Sequence, residues 1–320
     1  MHATLPSQPQ EAAGVIAQAP KPRSASLAVL VPFGIVTLIW GSTWLVIRDQ
    51  LGVVPPSWSV TYRFLVAGIC MAGWAIWQRE NWRLGVRGFA FAAMLGLMQF
   101  CLNFNFVYRA EQHVTSGLVS VVFAMLLIPN ALFGRIFLGQ KLGRQLVIGS
   151  AIAMAGVVLL FVREARVDPH GAGQVLAGIG FTLCAILSAS TANVMQATPT
   201  AARYPMGSML AVAMLVGASI DALFAYATVG PPVVEHRAVY WLGILYLGVF
   251  ASALAFPLYF GVLRAIGPAK AAYSSVIVPV IAMMLSTLFE GYRWSGLAIG
   301  GAVLAAAGLV VALRARRPNR

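Results

Sequence analysis

The sequence predicts an all-α integral membrane protein with ten transmembrane helices, arranged as two inverted repeats of five helices each. Three observations support this fold class: an apolar composition, a series of long apolar runs and an internal repeat. Of the 320 residues, 60% are hydrophobic and only 10% are charged, and the mean hydropathy is +0.82. Soluble domains carry about 25% charged residues. So few charges cannot cover a soluble surface, which excludes ordinary soluble enzymes, disordered proteins and disulfide scaffolds.

Ten apolar runs along the chain are each long enough to form a membrane-crossing helix, for which about 20 residues are needed. Their uniform hydrophobicity is unlike that of membrane β-strands, which alternate polar and apolar residues over about 10 positions. The loops between the runs are short, and none could hold a separate domain. The predicted spans are 27–47, 58–77, 88–107, 115–138, 144–162, 173–195, 206–227, 239–260, 270–289 and 294–313.

These spans divide the chain into five segments. We expect a disordered cytoplasmic tail at 1–26, because this stretch is polar and rich in Ala, Pro and Gln. A first five-helix repeat follows at 27–162, a linker at 163–172, a second five-helix repeat at 173–313 and a basic cytoplasmic tail at 314–320.

The distribution of basic residues predicts how the chain is oriented. Fifteen Lys and Arg residues lie in the tails and loops on the side of the termini, against six on the opposite side. Cytoplasmic loops of membrane proteins are enriched in Lys and Arg, so both termini are predicted to be cytoplasmic. The same bias accounts for the net charge of +13, and binding of nucleic acid is not expected.

The second half of the sequence repeats the pattern of the first. Pro129 and Pro279 lie 150 positions apart, and Gly149 and Gly301 lie 152 apart. Because each repeat would hold an odd number of helices, the second copy would insert upside down, as in many secondary transporters that work by alternating access. The alternative is that apolar helices resemble one another by composition alone.

Polar side chains within the spans are the candidate functional residues, since a polar group inside a bilayer is costly. Amides, hydroxyls and aromatic rings could line a wet cavity and bind a small zwitterion or a flat organic solute. The alternative is that they join helices or hydrogen-bond to their own backbone. The candidates are Gln99, Asn103, Asn130, Ser188, Asn193, Ser252, Tyr259 and Ser274.

Further residues in the spans have two interpretations each. Pro129 and Pro279 are hinges that gate a cavity, or they are static kinks. Arg63, five residues into the second span, contacts a substrate carboxylate or extends to the membrane interface. Gly296 and Gly300 form a small-residue step that is typical of a close helix contact, either within the chain or in a homodimer.

No acidic residue is expected deep within a span, because Asp221 and Glu290 fall near span ends and Glu111 falls in a loop. Ion-coupled carriers usually contain a buried carboxylate, so this pattern favours facilitated flow or coupling through a peripheral acid. The chain lacks a phosphate-binding loop motif, and its histidines and cysteines show no metal-ligand spacing. Neither an enzyme active site nor a bound metal or cofactor is predicted.

Short motifs along the chain are similar to those of a known family. They are Trp40-Gly41-Ser42-Thr43-Trp44, Pro55-Pro56 followed by Tyr62-Arg63-Phe64, and Leu138-Gly139-Gln140. This pattern, which covers about residues 30–313, resembles the EamA group of the drug/metabolite transporter superfamily and is closest to amino-acid exporters of the YddG type. The family has Glu where Gln140 stands, so the resemblance assigns no role to that position.

The resemblance implies a ten-helix carrier whose first, third, fourth, sixth, eighth and ninth helices face a central cavity. It adds Trp40 and Thr43, in the first helix, to the candidate cavity residues. The implied function is export of amino acids, including aromatic ones, or of related small metabolites across the bacterial inner membrane. The implied partners are a small-molecule substrate and the lipid bilayer. An exporter of drugs or lipophilic cations is the main alternative, followed by a membrane-embedded enzyme or a channel.

Overall fold

A computed structural model describes residues 27–139, 143–167, 172–266 and 274–313, and all regular structure in these ranges is helical. The predicted all-α fold is therefore confirmed. The predicted tails at 1–26 and 314–320 lie outside the described residues, as do Gln140 and residues 168–171 of the predicted linker.

Within the described ranges the chain forms ten long helices and a single-turn helix at Pro199–Ala202. In chain order the long helices are α1 Leu27–Asp49, α2 Pro56–Trp77, α3 Gly85–His113, α4 Ser116–Leu138, α5 Arg144–Val167, α6 Ala172–Gln196, α7 Met206–Val229, α8 238–266, α9 Ser274–Phe289 and α10 Gly296–Leu313. Each of them overlaps one of the predicted apolar runs.

Seven of these helices, α1 to α4 and α6 to α8, are long and apolar enough to cross a membrane. The other three contribute shorter apolar stretches at Arg144–Leu160, Ile277–Phe289 and Gly296–Ala312. The structure therefore describes a multi-pass membrane protein. Ten crossings and the inverted arrangement of the two halves stay predictions.

α3 is longer than the sequence predicted. The predicted span ended at residue 107, whereas the helix continues to His113. Arg109 and Glu111 interrupt the apolar run and made its last turns resemble a loop. The helix nevertheless continues, because the side chain of Glu111 is buried and that of Arg109 is partly buried against neighbouring helices.

Proline and glycine mark several helix boundaries. Pro55 is extended (φ −58°, ψ 142°), and Pro56 follows as the first helical residue of α2, a position where its missing N–H group costs nothing. α4 ends at Leu138 because Gly139 adopts the left-handed conformation with φ +65°. α7 ends before Gly230, whose φ of +90° and ψ of −158° form a different conformation that side-chain-bearing residues rarely adopt.

α5 and α10 pack backbone against backbone through glycine. A Cβ atom on Gly149 or Gly156 of α5 would collide with the backbone of α10, so only a residue without a side chain allows this approach. A Cβ atom added to Gly296 or Gly300, the predicted contact pair, would meet no atom of another described helix within 4 Å. They therefore make no close contact with the described helices, and the homodimer stays a prediction.

The remaining helices surround the centre of the molecule. α2 packs along α7. α7 also contacts the first half of α3, whereas α2 contacts the middle and second half of α3. α1 packs against α8 and α9, α4 packs against α6 and α9, and α3 packs against α6. Six helices, α1, α3, α4, α6, α8 and α9, thus enclose a central space.

Candidate functional site

A central cavity of about 140 Å³ lies between these six helices and α2. Its wall combines polar groups and aromatic rings with smaller aliphatic side chains. The polar residues are Thr43, Arg63, Gln99, Asn103, Ser120, Asn130, Asn193 and Ser274. The aromatic residues are Trp40, Trp44, Phe104, Phe123, Phe256 and Tyr259.

Most of the candidate residues from the sequence analysis lie on this wall. They are Trp40, Thr43, Arg63, Gln99, Asn103, Asn130, Asn193, Tyr259, Ser274 and Pro279. Three selected residues do not line it, namely Pro129, Ser188 and Ser252. The hydroxyl of Ser188 donates to the Cys184 carbonyl at 2.9 Å, which is the backbone role that the alternative interpretation described.

The sequence analysis missed several residues of the wall, among them Trp44 and Phe123. The spacing of each residue from a predicted cavity residue could have identified it. Trp44 lies four residues after Trp40, and Phe123 lies seven residues before Asn130. Residues at these spacings share one face of a helix, so each missed aromatic ring could have been located from a predicted neighbour.

Arg63 contributes the only guanidinium group on the described part of the wall. Only 1% of the residue is exposed, so its side chain is enclosed by the protein. Its Nε donates to Ser252 Oγ at 3.1 Å, and its guanidinium carbon lies 4.2 Å from the ring centre of Phe104. Its Nη1 has no hydrogen-bond partner in the described structure, which leaves a buried cationic donor at the cavity.

Amide groups line the cavity on α3, α4 and α6. Asn193 Nδ2 and Asn130 Oδ1 are 3.5 Å apart, which links α6 to α4 across the wall. Asn103 Nδ2 lies 3.5 Å from the Gln99 carbonyl, while Asn103 Oδ1 is buried without a partner. The indole Nε1 of Trp44 is likewise buried and unpartnered. The wall therefore offers both donors and an acceptor to a polar solute.

The aromatic side of the cavity is fixed by contacts between α1 and α8. The Trp40 indole N–H donates to the Ala251 carbonyl at 3.1 Å. The Trp40 ring centre lies 5.4 Å from that of Phe256 and 4.9 Å from that of Tyr259. These tilted ring pairs are favourable arrangements, so the aromatic surface is held in place before any solute arrives.

Two π-helical segments occur near the cavity, Gly96–Leu102 in α3 and Tyr246–Leu254 in α8. They carry Gln99 and Ser252 respectively. The wider turn lets the Ser252 hydroxyl donate to the carbonyl of Leu247, five residues earlier, at 2.8 Å. π-helical turns are rare and often occur at functional sites, and here one of them places the hydroxyl that accepts from Arg63.

Two acidic residues are buried inside the protein. Glu111 and Asp221 are both 0% exposed, whereas the sequence analysis placed the first in a loop and the second near a span end. Asp221 accepts hydrogen bonds from Asn105 Nδ2 and, at 3.1 Å, from Cys101 Sγ. Hydropathy placed Glu111 in a loop because charged residues end an apolar run. Asp221 fell inside the predicted span 206–227, but hydropathy does not show which residues surround an acid in space.

The two selected prolines occupy different places. Pro279 lies inside α9 and lines the cavity. Pro129 lies in α4, where the chain has just passed through a 3₁₀ turn at Ala124–Leu126. Proline removes a backbone hydrogen bond from a helix. Pro279 does so at the cavity, and Pro129 does so beside the lining residue Asn130.

An ion-pair cluster outside the helical core joins α1 to the loop before α8. Arg237 lies 3.5 Å from Asp49 Oδ1 and 3.3 Å from Glu235 Oε2. Burial opposes ionisation of Glu235, but hydrogen bonds from the Arg237 backbone and guanidinium outweigh it and lower the pKa of the Glu235 carboxyl. The cluster ties together the ends of two helices that line the cavity.

No group of three or more His, Cys, Asp or Glu side chains in the described ranges is arranged to hold a metal ion.

Comparison with known proteins identifies a family and several relatives. The sequence profile of the EamA-like transporter family matches residues 29–162 and again residues 176–314. Protein PagO of Salmonella typhimurium (strain LT2) is 26% identical over 279 residues, covering 85% of this chain and 88% of PagO. The uncharacterized inner membrane transporter YedA of Escherichia coli (strain K12) is 28% identical over 256 residues, covering 79% and 80% of the two chains.

Two further similarities concern a named efflux pump and a solved structure. A "Probable amino-acid metabolite efflux pump" of Salmonella typhimurium (strain LT2) is 25% identical over 301 residues, covering 89% of this chain and 96% of its own length. One crystal structure aligns with a TM-score of 0.64 at 21% identity, covering 92% of this chain and 100% of the other. That structure shares the fold.

Proposed function

This chain belongs to the EamA-like transporter family, and on that premise we propose that it exports amino acids or related small metabolites across the bacterial inner membrane. One observation carries the proposal. Arg63 is buried beside the cavity with its Nη1 unpartnered, on a wall that also presents amides and aromatic rings. A buried cationic donor without a partner is costly unless a ligand completes it, and a carboxylate matches a guanidinium best.

The polar and apolar parts of the wall suit the three parts of an amino acid. The carboxylate would accept from Arg63, and the amino group would donate to the free Oδ1 of Asn103. An apolar or aromatic side chain would pack on the rings of Trp40, Phe256 and Tyr259. These contacts replace part of the hydration shell that the solute loses on entry. The amino-acid metabolite efflux pump of Salmonella supports the same substrate class.

The proposed topology is that of ten crossings in two inverted repeats, 27–162 and 173–313, joined by the linker 163–172, with the tails 1–26 and 314–320 in the cytoplasm. The two matches of the family profile, at 29–162 and 176–314, support this division. The excess of fifteen basic residues over six supports cytoplasmic termini. An inverted repeat gives the protein two equivalent ways to close around one site, which is the basis of alternating access.

Movement between the two states would use hinges at Pro129 and Pro279. Pro279 lines the cavity, and Pro129 precedes the lining residue Asn130. Rotation of the helix halves about these prolines would open one end of the cavity while the other closes. α4 and α9, which contain them, pack against each other, so the two hinges would move together.

A second candidate function is export of lipophilic cations. The observation that favours it is the number of aromatic rings on the wall, since ring faces attract organic cations. The buried guanidinium of Arg63 opposes it, because a cationic solute would be repelled by an unpaired positive charge in the same small space.

Transport by the purified protein in liposomes tests the proposal. Labelled L-phenylalanine, L-leucine and L-lysine would be measured with and without a pH gradient, together with labelled tetraphenylphosphonium. We expect saturable amino-acid uptake that is stimulated by counterflow, which a channel would not show. Transport of tetraphenylphosphonium but of no amino acid would replace the amino-acid proposal with the cation exporter.

A further inference from the structure

A second cavity, of about 420 Å³, lies between α4, α9 and α10. α10 packs closely along α5 through its glycines and contacts α9 at few positions, which leaves a groove between α9 and α10. Side chains on its floor, among them Met283 and Ala305, are buried, whereas Val280 and Met284 on its edge are more than half exposed. The α9–α10 groove is therefore a recess that opens at the protein surface.

The lining of the groove favours an apolar ligand. Among the described residues that form it, only Thr287 and Trp294 carry side-chain nitrogen or oxygen atoms. The Trp294 indole N–H donates to Thr287 Oγ1 at 2.9 Å, and this hydroxyl donates to the Met283 carbonyl at 2.7 Å. Both polar groups are thus engaged within the protein. An apolar cavity does not attract water, and an empty one lowers stability in proportion to its volume.

The length of the groove matches one leaflet of a bilayer. Its α9 wall extends from Pro279 to Leu288, which at about 1.5 Å per residue spans about 14 Å. The hydrocarbon core of a bilayer is about 30 Å thick, so the groove covers about half of it. Trp294 lies at one end, in the loop between α9 and α10, and tryptophan is enriched at membrane interfaces. The groove thus runs from the interface toward the middle of the membrane.

We propose that the α9–α10 groove binds one acyl chain of a membrane phospholipid, from the leaflet beside the loop that joins these helices. The chain contacts Met283 and Met284, whose flexible side chains fit irregular apolar surfaces, and the small side chains of Ala302 and Ala306. Such a lipid differs from those that surround any membrane protein, because it enters a recess with a buried floor. The proposal rests on the proposed topology, in which α9 and α10 cross the bilayer.

The groove and the central cavity share part of one wall. Ala124 of α4 and Pro279 of α9 line both spaces. A bound acyl chain therefore contacts Pro279 from the lipid side, while a solute in the central cavity contacts it from the other. The lipid thus supports α9 at the position where proline removes a backbone hydrogen bond from the helix.

Photo-crosslinking from lipid tests the site without any solute. The full-length protein is placed in phosphatidylcholine nanodiscs that contain a phosphatidylcholine with a diazirine on one acyl chain, and the labelled residues are located by mass spectrometry. We expect labels on Met283 and Ala305, on the buried floor, and also on Val303, which is exposed on another face of α10. Without a label on Val303 the proposed topology is wrong. A label on Val303 but none on the floor overturns the groove alone.

A side chain that fills the groove should exclude the lipid. We expect Ala306→Trp to reduce the label on Met283 about tenfold. Val303→Trp is the matched control, because it adds the same ring to the same helix outside the groove and keeps the label. Ala302→Leu is a second filling variant that applies where Ala306→Trp does not fold, and it should lower the label in the same direction.

Native mass spectrometry in detergent provides an independent count of bound lipid. The wild type and Val303→Trp should each retain one phospholipid per chain, and Ala306→Trp should retain none. Equal labelling and equal lipid retention in all folded variants would show that no acyl chain occupies the groove. A wild-type dimer that becomes a monomer in Ala306→Trp would instead assign the groove to contact between two copies of this chain, and the lipid proposal would be wrong.

Discussion

Two groups of buried polar residues in this protein differ in how fully they are paired. One, the Asp221 cluster (Ser57, Cys101, Asn105, Arg109 and Asp221), joins α2, α3 and α7. The other, on the cavity wall, contains three buried atoms without partners: Arg63 Nη1, Asn103 Oδ1 and Trp44 Nε1.

The Asp221 cluster is almost completely satisfied within the protein. Ser57 Oγ donates to Asn105 Oδ1 at 2.9 Å, and Arg109 donates to the same oxygen at 3.0 Å. Asp221 Oδ1 accepts from Cys101 and Asn105, and only its Oδ2 lacks a partner. Hydrogen bonds within the Asp221 cluster hold helices together, whereas the unpaired atoms on the cavity wall are free to form hydrogen bonds with a solute. The first group should affect stability, and the second should affect transport.

The largest expected effect comes from removing the arginine charge from the cavity wall and comparing it with the same change in the Asp221 cluster. Arg63→Gln should lower solute affinity about tenfold to a hundredfold, because a hydrogen bond to a charged group contributes about 1.5–3 kcal/mol. Arg109→Gln, the matched control in the Asp221 cluster, should leave the affinity unchanged. Binding of labelled L-phenylalanine to the two variants measures the difference. Equal losses in both would remove Arg63 from the solute site.

The second effect is on stability. Asp221→Ala should lower the free energy of unfolding by about 1–3 kcal/mol, because Asn105 and Cys101 lose their acceptor inside the protein. Asp221→Asn, which retains an acceptor oxygen, should lose less. Thermal unfolding in detergent, followed by the fluorescence of a thiol-reactive dye, provides the comparison. An unchanged melting temperature in Asp221→Ala would show that the cluster does not stabilise the helix contacts.

A smaller effect is expected for the amides of the wall. Asn103→Ala and Gln99→Ala should slow transport severalfold, since each removes one neutral hydrogen bond of about 0.5–1.5 kcal/mol. Expression and melting temperature should stay close to those of the wild type. Initial rates in liposomes measure the change. Wild-type rates in both variants would exclude these amides from the solute site.

The smallest effect is expected at Ser188. Its hydroxyl bonds to its own helix backbone and does not line the cavity. Ser188→Ala should change both transport and stability by less than about 0.5 kcal/mol. The same assays apply, and a clear loss of transport would show that the cavity extends further along α6 than the lining residues indicate.

The sequence predicted the helices well, but it did not show which residues contact one another in space. It predicted the helical fold, the family resemblance that the EamA-like profile confirms, and residues such as Asn103 and Tyr259 that lie on the cavity wall. The fold and the wall residues came from hydropathy and from polar residues within apolar runs, and the resemblance came from short sequence motifs. All of these are local properties. It placed Glu111 in a loop, because a charged residue at the end of an apolar run resembles a loop until its spatial neighbours are known. It also gave no sign that Asp221, inside the predicted span 206–227, is fully buried.

The sequence by itself determined that this chain is a helical membrane protein with polar groups among its apolar helices, since solvent preference and helix boundaries depend on neighbouring residues. Only the tertiary structure decided which polar groups are paired. Asp221 meets Cys101 across 120 positions of sequence, and Arg63 meets Ser252 across 189. Hydrogen bonding depends on distances of about 3 Å between such remote residues, and helix packing alone brings them that close.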